Sequence, residues 1–72
     1  MQLVQVSTST VKYFVIEHPQ YGRLHYSYTI HANGDITWGN LLIEDEEIKQ
    51  SLPTKDWVNL EYQVRDFCQD NE

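Results

Sequence analysis

The fourteen residues His25-Tyr-Ser-Tyr-Thr-Ile-His-Ala-Asn-Gly-Asp-Ile-Thr-Trp38 constrain the fold more than any other stretch. Asn33-Gly34 is a strong hairpin signal, because both residues tolerate positive φ in a tight turn. Two loop lengths fit it. A two-residue Asn33-Gly34 loop pairs Ile30 with Thr37 and His31 with Ile36. It leaves Leu24, Tyr26, Tyr28 and Ile30 on one face, and Ile36 and Trp38 on the other. A three-residue Ala32-Asn33-Gly34 loop pairs Ile30 with Ile36, Tyr28 with Trp38 and Leu24 with Leu42. A slip of one residue turns every side chain over, so burial selects the register that gathers the apolar groups. That is the three-residue loop, a type I turn closed by Gly34 in the left-handed conformation. The opposite face then carries Arg23, His25, Ser27, Thr29, His31, Asp35 and Thr37, as expected of an antiparallel sheet wet on one side. His31 and Asp35 form a modest cross-strand pair in this register.

The flanking sequence extends the sheet. Val11 to Glu17 is a β-branched and aromatic run without helical period, which predicts a strand. Pro19 ends it. Gln2 to Val6 alternates loosely and predicts a short strand, with a polar turn or a strand extension over Ser7 to Thr10. The four strands are therefore expected at about 2–6, 11–17, 23–31 and 35–43, with a bulge at Gly39 re-aiming Leu41, Leu42 and Ile43.

The pattern then becomes helical. Glu44-Asp-Glu-Glu47 suits a helix N-terminus, and a short helix or turn is expected over 45–50, stopped by Pro53. Thr54 is placed to cap a second helix over 54–69. Along it Trp57, Leu60, Val64, Phe67 and Cys68 form one apolar stripe. Glu61 precedes Arg65 by four residues, the favourable order for an ion pair. The expected fold class is α+β: one small domain over 1–72, an antiparallel meander of three or four strands with the C-terminal helix packed on one face.

Charge is distributed unevenly. Residues 1–42 hold two bases and two acids, whereas residues 43–72 hold nine acids against three bases. The net charge of −6 therefore sits in the last thirty residues. Such a chain repels phosphate backbones, which disfavours direct nucleic-acid binding, and it attracts basic protein surfaces. No run of eighteen apolar residues is present, so no membrane span is expected. The N-terminus lacks a secretory signal pattern, and the single cysteine, Cys68, cannot form an intrachain disulfide. A cytoplasmic location is the resulting expectation.

Catalytic and metal chemistry find little support. His25 and His31 are separated by about 20 Å of strand and cannot share an ion. Cys68 lacks a cysteine partner at zinc spacing. It also falls on the apolar stripe near a helix C-terminus, which predicts a packed thiol rather than a nucleophile. The serines have no elbow motif, and Gly22, Gly34 and Gly39 form no phosphate-binding pattern. No enzyme activity, metal or cofactor is expected.

Aromatic side chains are the better guide. Tyr13, Tyr21 and Trp57 are the hardest to fit in one core. Trp57, in the first turn of an acidic helix, is the preferred anchor for a partner, ringed by Asp56, Glu61, Glu46 and Glu47 and joined by Tyr21. The segment His18-Pro-Gln-Tyr-Gly22, followed by Leu24, resembles the His-Pro-x-aromatic-Gly opening of some Tudor-like small barrels in bacterial transcription and repair proteins. The resemblance spans five or six residues, and the sequence beyond them lacks a compact five-strand rhythm. It implies a protein-binding module rather than an enzyme.

The leading expectation is a small acidic, non-catalytic protein-interaction domain: a regulator, inhibitor or accessory subunit whose partner has a basic surface. An exposed strand edge offers it a second route to a partner, by β-augmentation. The alternatives are a nucleic-acid-mimicking inhibitor of a DNA-binding protein, a subunit completing an enzyme site on another chain, and a homo-oligomer.

Overall fold

The structure, a computed structural model, describes residues 1–8 and 10–71. Strand β1 is Gln2–Thr8, β2 Val11–His18, β3 Gly22–Ile30, β4 Ile36–Trp38 and β5 Leu42–Ile43. Helices α1 (Glu46–Ser51) and α2 (Thr54–Asp70) follow. The sheet runs β1-β2-β3-β4, all antiparallel, and β5 pairs with β3 beyond the end of β4. β4 and β5 are thus one broken fourth strand of an open meander. The first strand joins the sheet and continues two residues past its expected end. Of the polar turn expected over 7–10, Ser9 lies outside the described residues. The open sheet also departs from a small barrel: His18-Pro-Gln-Tyr-Gly22 is simply the turn between β2 and β3.

The three-residue loop is realised. Tyr28 pairs with Trp38 and Ile30 with Ile36. The Gly34 amide donates to the His31 carbonyl at 2.9 Å, and the His31 amide to the Asp35 carbonyl at 2.8 Å. Gly34 has φ +92°, as the turn requires. The expected His31–Asp35 side-chain pair is replaced by local bonds. The Asp35 carboxylate accepts from the Asn33 side chain at 3.1 Å, and His31 Nε2 meets Thr37 Oγ1 at 2.6 Å.

The pairing expected between Leu24 and Leu42 is corrected to Leu24 with Ile43. An extra residue accumulates between Trp38 and Leu42, where the fourth strand leaves the ladder and rejoins it. The break buries Leu41 and Ile43 and turns Leu42 out to solvent. Two buried apolar side chains outweigh one exposed, so burial again decides the register.

The core lies between the sheet and α2. Phe14 and Ile16 of β2 and Leu24, Tyr26 and Tyr28 of β3 meet Leu41, Ile43, Leu60, Val64 and Cys68. Trp57 and Phe67, the other stripe positions, pack at its margin. Full burial of side chains such as Leu60 and Val64 stabilises by roughly 1.5–3 kcal/mol each.

Capping differs from expectation at one helix. Asp45 caps α1 through Oδ1, which accepts from the Glu47 and Ile48 amides at 3.0 and 3.2 Å. At α2 the cap position falls to Pro53, and Thr54 becomes the first helical residue with no side-chain cap. Extended Pro53 supplies the entry geometry, and its carbonyl accepts from the Trp57 amide at 2.9 Å. Thr54 is thereby drawn one position inside the helix.

Candidate functional site

Two constellations stand out, one on each face of the sheet. The first follows from the hairpin register. Pairing with Tyr28 puts Trp38 on the helix-facing side of the sheet, at its edge, where its ring lies 5.1 Å from that of Tyr28. Helix α2 crosses beside it and presents Arg65. The Arg65 guanidinium packs on two rings, 4.8 Å from the Trp38 centroid and 4.6 Å from that of Tyr62. Each such contact contributes about 0.5–1 kcal/mol at an exposed site. Between strand and helix lies a groove of about 130 Å³, lined by Tyr26, Trp38, Val58, Glu61, Tyr62 and Arg65.

This groove opens through exposed apolar groups. Trp38 is 37% exposed, Val58 45% and Tyr62 54%. Val58 and Tyr62 are four residues apart and share one helix face. The buried Tyr26 ring forms the floor. Burial raises the pKa of its hydroxyl, Glu61 adds to the rise, and Arg65 opposes it. The hydroxyl is therefore a neutral donor at ordinary pH.

The expected Glu61–Arg65 ion pair is absent among the described residues. Glu61 Oε2 instead accepts from Trp57 Nε1 at 3.1 Å, and Arg65 is taken by the two rings. Both partners of the anticipated pair are engaged by aromatic side chains instead: Glu61 by Trp57 one turn before it, Arg65 by Tyr62 on the same helix and Trp38 on β4.

The second constellation lies on the outer sheet face. Tyr13 Oη is 2.6 Å from His25 Nδ1, and His25 Nε2 is 2.6 Å from Glu44 Oε2. In the tautomer that satisfies both contacts, Tyr13 donates to Nδ1 and Nε2–H donates to Glu44. This chain links β2, β3 and the residue after β5. The depression beside it, about 180 Å³ and shallow, is lined by Tyr13, His25, Tyr26, Ser27, Asn40 and Leu42. The order hydroxyl, imidazole, carboxylate is that of an activated nucleophile. It lies on an open sheet surface.

The six anchor and ring residues expected from sequence fall in separate places. Trp57 is partly buried against the core and bonded to Glu61. Tyr21 and Asp56 line a cleft of about 220 Å³ with His18, Gln20, Asn59, Leu60 and Gln63. Glu46 and Glu47 form the exposed first turn of α1. His18 in that cleft is a turn brace: its Nδ1 accepts from the Gln20 and Tyr21 amides at 3.0 and 3.2 Å. Burial, and then the positive amino terminus, lowers its pKa below the ordinary imidazole value.

Of the groove residues, Trp38 was legible as a member of the apolar face but not as its exposed rim. Val58 and Tyr62 were missed. Their signal was present, since both are large apolar positions lying off the Trp57/Leu60/Val64 stripe.

Cys68 is fully buried, and burial pushes its thiol up to about 12. Set against the ordinary value of 9.0, that leaves about a thousandfold less thiolate near neutral pH. Iodoacetamide is expected to modify the native protein at least about a thousandfold more slowly than the denatured chain. Quenched alkylation with mass spectrometry measures this, and native labelling within about tenfold of the denatured rate would contradict it.

Among the described residues no cluster of three His, Cys, Asp or Glu side chains could hold a metal ion, and no helix is long and apolar enough to cross a membrane. No protein-family model matches the sequence, and no curated protein or solved structure is detectably similar to it.

Proposed function

We propose that this chain is a small, non-catalytic protein-interaction domain that docks a partner on the groove between β4 and α2. The observation that carries this reading is the exposed Trp38–Arg65–Tyr62 stack beside Val58. Trp, Tyr and Arg dominate the energetics of protein interfaces, because they bury large, rigid, amphipathic surface. Three such residues line one groove together with Val58, so a partner seated there covers apolar and charged surface at once.

Acidity supports the reading, although several of the carboxylates also serve the fold. Glu17 pairs with Arg23, Asp35 bonds Asn33, Glu44 bonds His25, Asp45 caps α1 and Glu61 holds Trp57. The carboxylates bonded to neutral donors keep their charge, so Asp35, Asp45 and Glu61 steer a basic partner together with Glu46, Glu47, Asp56, Asp66 and Asp70, over distances limited to about 8 Å at physiological salt. Nucleic-acid mimicry is the weaker reading. At 100° per residue Asp56, Asp66 and Asp70 share an arc of about 80° on α2, but three carboxylates spread over about 21 Å of helix are far sparser than a phosphate backbone with a charge about every 3.4 Å along each strand.

The Tyr13–His25–Glu44 chain is read as a tie between strands. It borders a shallow depression on an open sheet surface in place of a substrate pocket.

Affinity capture from native extract tests the proposal, using wild type and Tyr62→Ala in parallel. Wild type is expected to retain a stoichiometric partner that Tyr62→Ala binds at least about tenfold more weakly, since interface tyrosines of this kind contribute 2 kcal/mol or more. Equal retention by both proteins would refute the assignment of the groove.

A further inference from the structure

Arg65 says more about the partner than the rings do. Its guanidinium packs on the rings of Trp38 and Tyr62, which offer no hydrogen-bond acceptor in the plane of its N–H donors. Among the described residues no carboxylate pairs with it and no acceptor bonds it. The Tyr26 hydroxyl, a second donor lining the groove, likewise has no hydrogen-bond partner among the described residues. Glu61 is the one acid lining the groove; its Oε2 accepts from Trp57, and it keeps its charge without pairing with Arg65.

In the free protein, water solvates these donors. A partner that covers Trp38, Val58 and Tyr62 must displace that water. Burying a guanidinium without acceptors is strongly unfavourable, so the incoming surface must bring its own. A lysine or arginine there would add like-charge repulsion to the desolvation. A carboxylate meets the guanidinium edge with two parallel bonds, and ring stacking holds the fork in place beforehand. The groove itself, about 130 Å³, has the size of one large apolar side chain.

We infer that the groove reads a peptide segment in which an apolar side chain sits beside an Asp or Glu, the apolar group filling the niche and the carboxylate capping Arg65. This rests on the docking role proposed above and deepens it. It also reverses, at the centre of the contact, the basic partner chemistry expected from net charge. Acceptance of one carboxylate on an otherwise acidic protein is a local device: the repelling acids are screened in salt, whereas the stacked Arg65 acts at contact distance.

The test uses the full chain against a display library of random eight-residue peptides, with Tyr62→Ala as the counter-selection. Recovered peptides are resynthesised with each Asp or Glu changed to its amide, and measured against wild type, Arg65→Gln and Arg65→Lys. Far-ultraviolet circular dichroism confirms that each variant folds. Tyr62-dependent peptides enriched in acid next to an apolar residue are expected. Amidation should weaken wild-type binding about tenfold or more and leave Arg65→Gln binding nearly unchanged. Arg65→Lys should recover only part of the loss, because an ammonium supplies charge without the fork. Tyr62-dependent peptides with no acid enrichment, or with enriched Lys and Arg, would overturn the inference and leave the docking site standing. No Tyr62-dependent peptide at all would overturn both. A wild-type dimer in light scattering that Tyr62→Ala dissolves would also overturn it, by seating a second copy in the groove.

Discussion

Replacing Phe14 with alanine is expected to lower the melting temperature by at least about 12 °C and to leave much of the protein unfolded at 37 °C. Phe14 has no exposed surface and stacks on Tyr28, with ring centroids 5.8 Å apart. Truncating a buried phenylalanine costs about 3–5 kcal/mol, through lost transfer energy and the cavity left behind. A chain of this length has roughly 4–11 kcal/mol of total stability. Each kcal/mol moves the midpoint by about 4–8 °C in a domain of this size. The site has little room to collapse, since β2 is held on both edges by β1 and β3. Thermal denaturation followed by circular dichroism measures the change. A midpoint within about 5 °C of wild type would mean that the helix closes over the gap and that the core is less tightly packed than its burial implies.

The same burial argument explains why so much of the fold was legible. Strand registers are two-valued where one face is buried, and the wrong value carries Ile36 and Trp38 to the outer face, away from Ile30 and Tyr28. The stripe on α2 has the same force: Leu60, Val64 and Cys68 are the buried helix positions, and all three recur at helical spacing. What sequence could not supply was the offset within the fourth strand. Leu41, Leu42 and Ile43 are all apolar, and hydrophobicity alone does not say which two turn inward once Gly39 breaks the ladder.

The site was less legible, because exposure is a property of where the helix stops covering the sheet. Trp57 and Trp38 are equally apolar in sequence. The helix carries Trp57 onto the core margin, where Glu61 satisfies its indole N–H. Trp38 lies on a three-residue edge strand that the helix only flanks. The Glu61–Arg65 spacing was read correctly as an i, i+4 relation, but a surface ion pair is worth at most about 1 kcal/mol. A hydrogen bond to an indole on one side and two ring faces on the other are enough to displace it.

Gly39 tests whether the break in the fourth strand is required by packing. A Cβ added there would lie 2.3 Å from the Ser27 carbonyl oxygen and 3.0 Å from Ser27 Oγ. That same carbonyl accepts from the Gly39 amide at 2.9 Å. The obstacle is backbone in the middle of β3, so no side-chain rotation relieves it. Gly39→Ala is therefore expected to cost about 2–4 kcal/mol, combining overpacking of 1–3 with a lost hydrogen bond of about 1. Gly34→Ala provides the contrast. Its φ of +92° strains an alanine, but nothing lies within 4 Å of the new Cβ. The strain of about 1–2 kcal/mol is partly offset by a less flexible unfolded chain, for a net loss near 1. Chemical denaturation of the two variants should thus rank the inconspicuous Gly39 above the glycine of the Asn-Gly turn, and the reverse order would show that β4 and β5 can shift off β3 at little cost. If they do shift, Trp38, the neighbour of Gly39, moves with them. In Gly39→Ala the near-ultraviolet signal of the Trp38–Arg65–Tyr62 stack should fall along with stability, whereas Gly34→Ala should leave it intact.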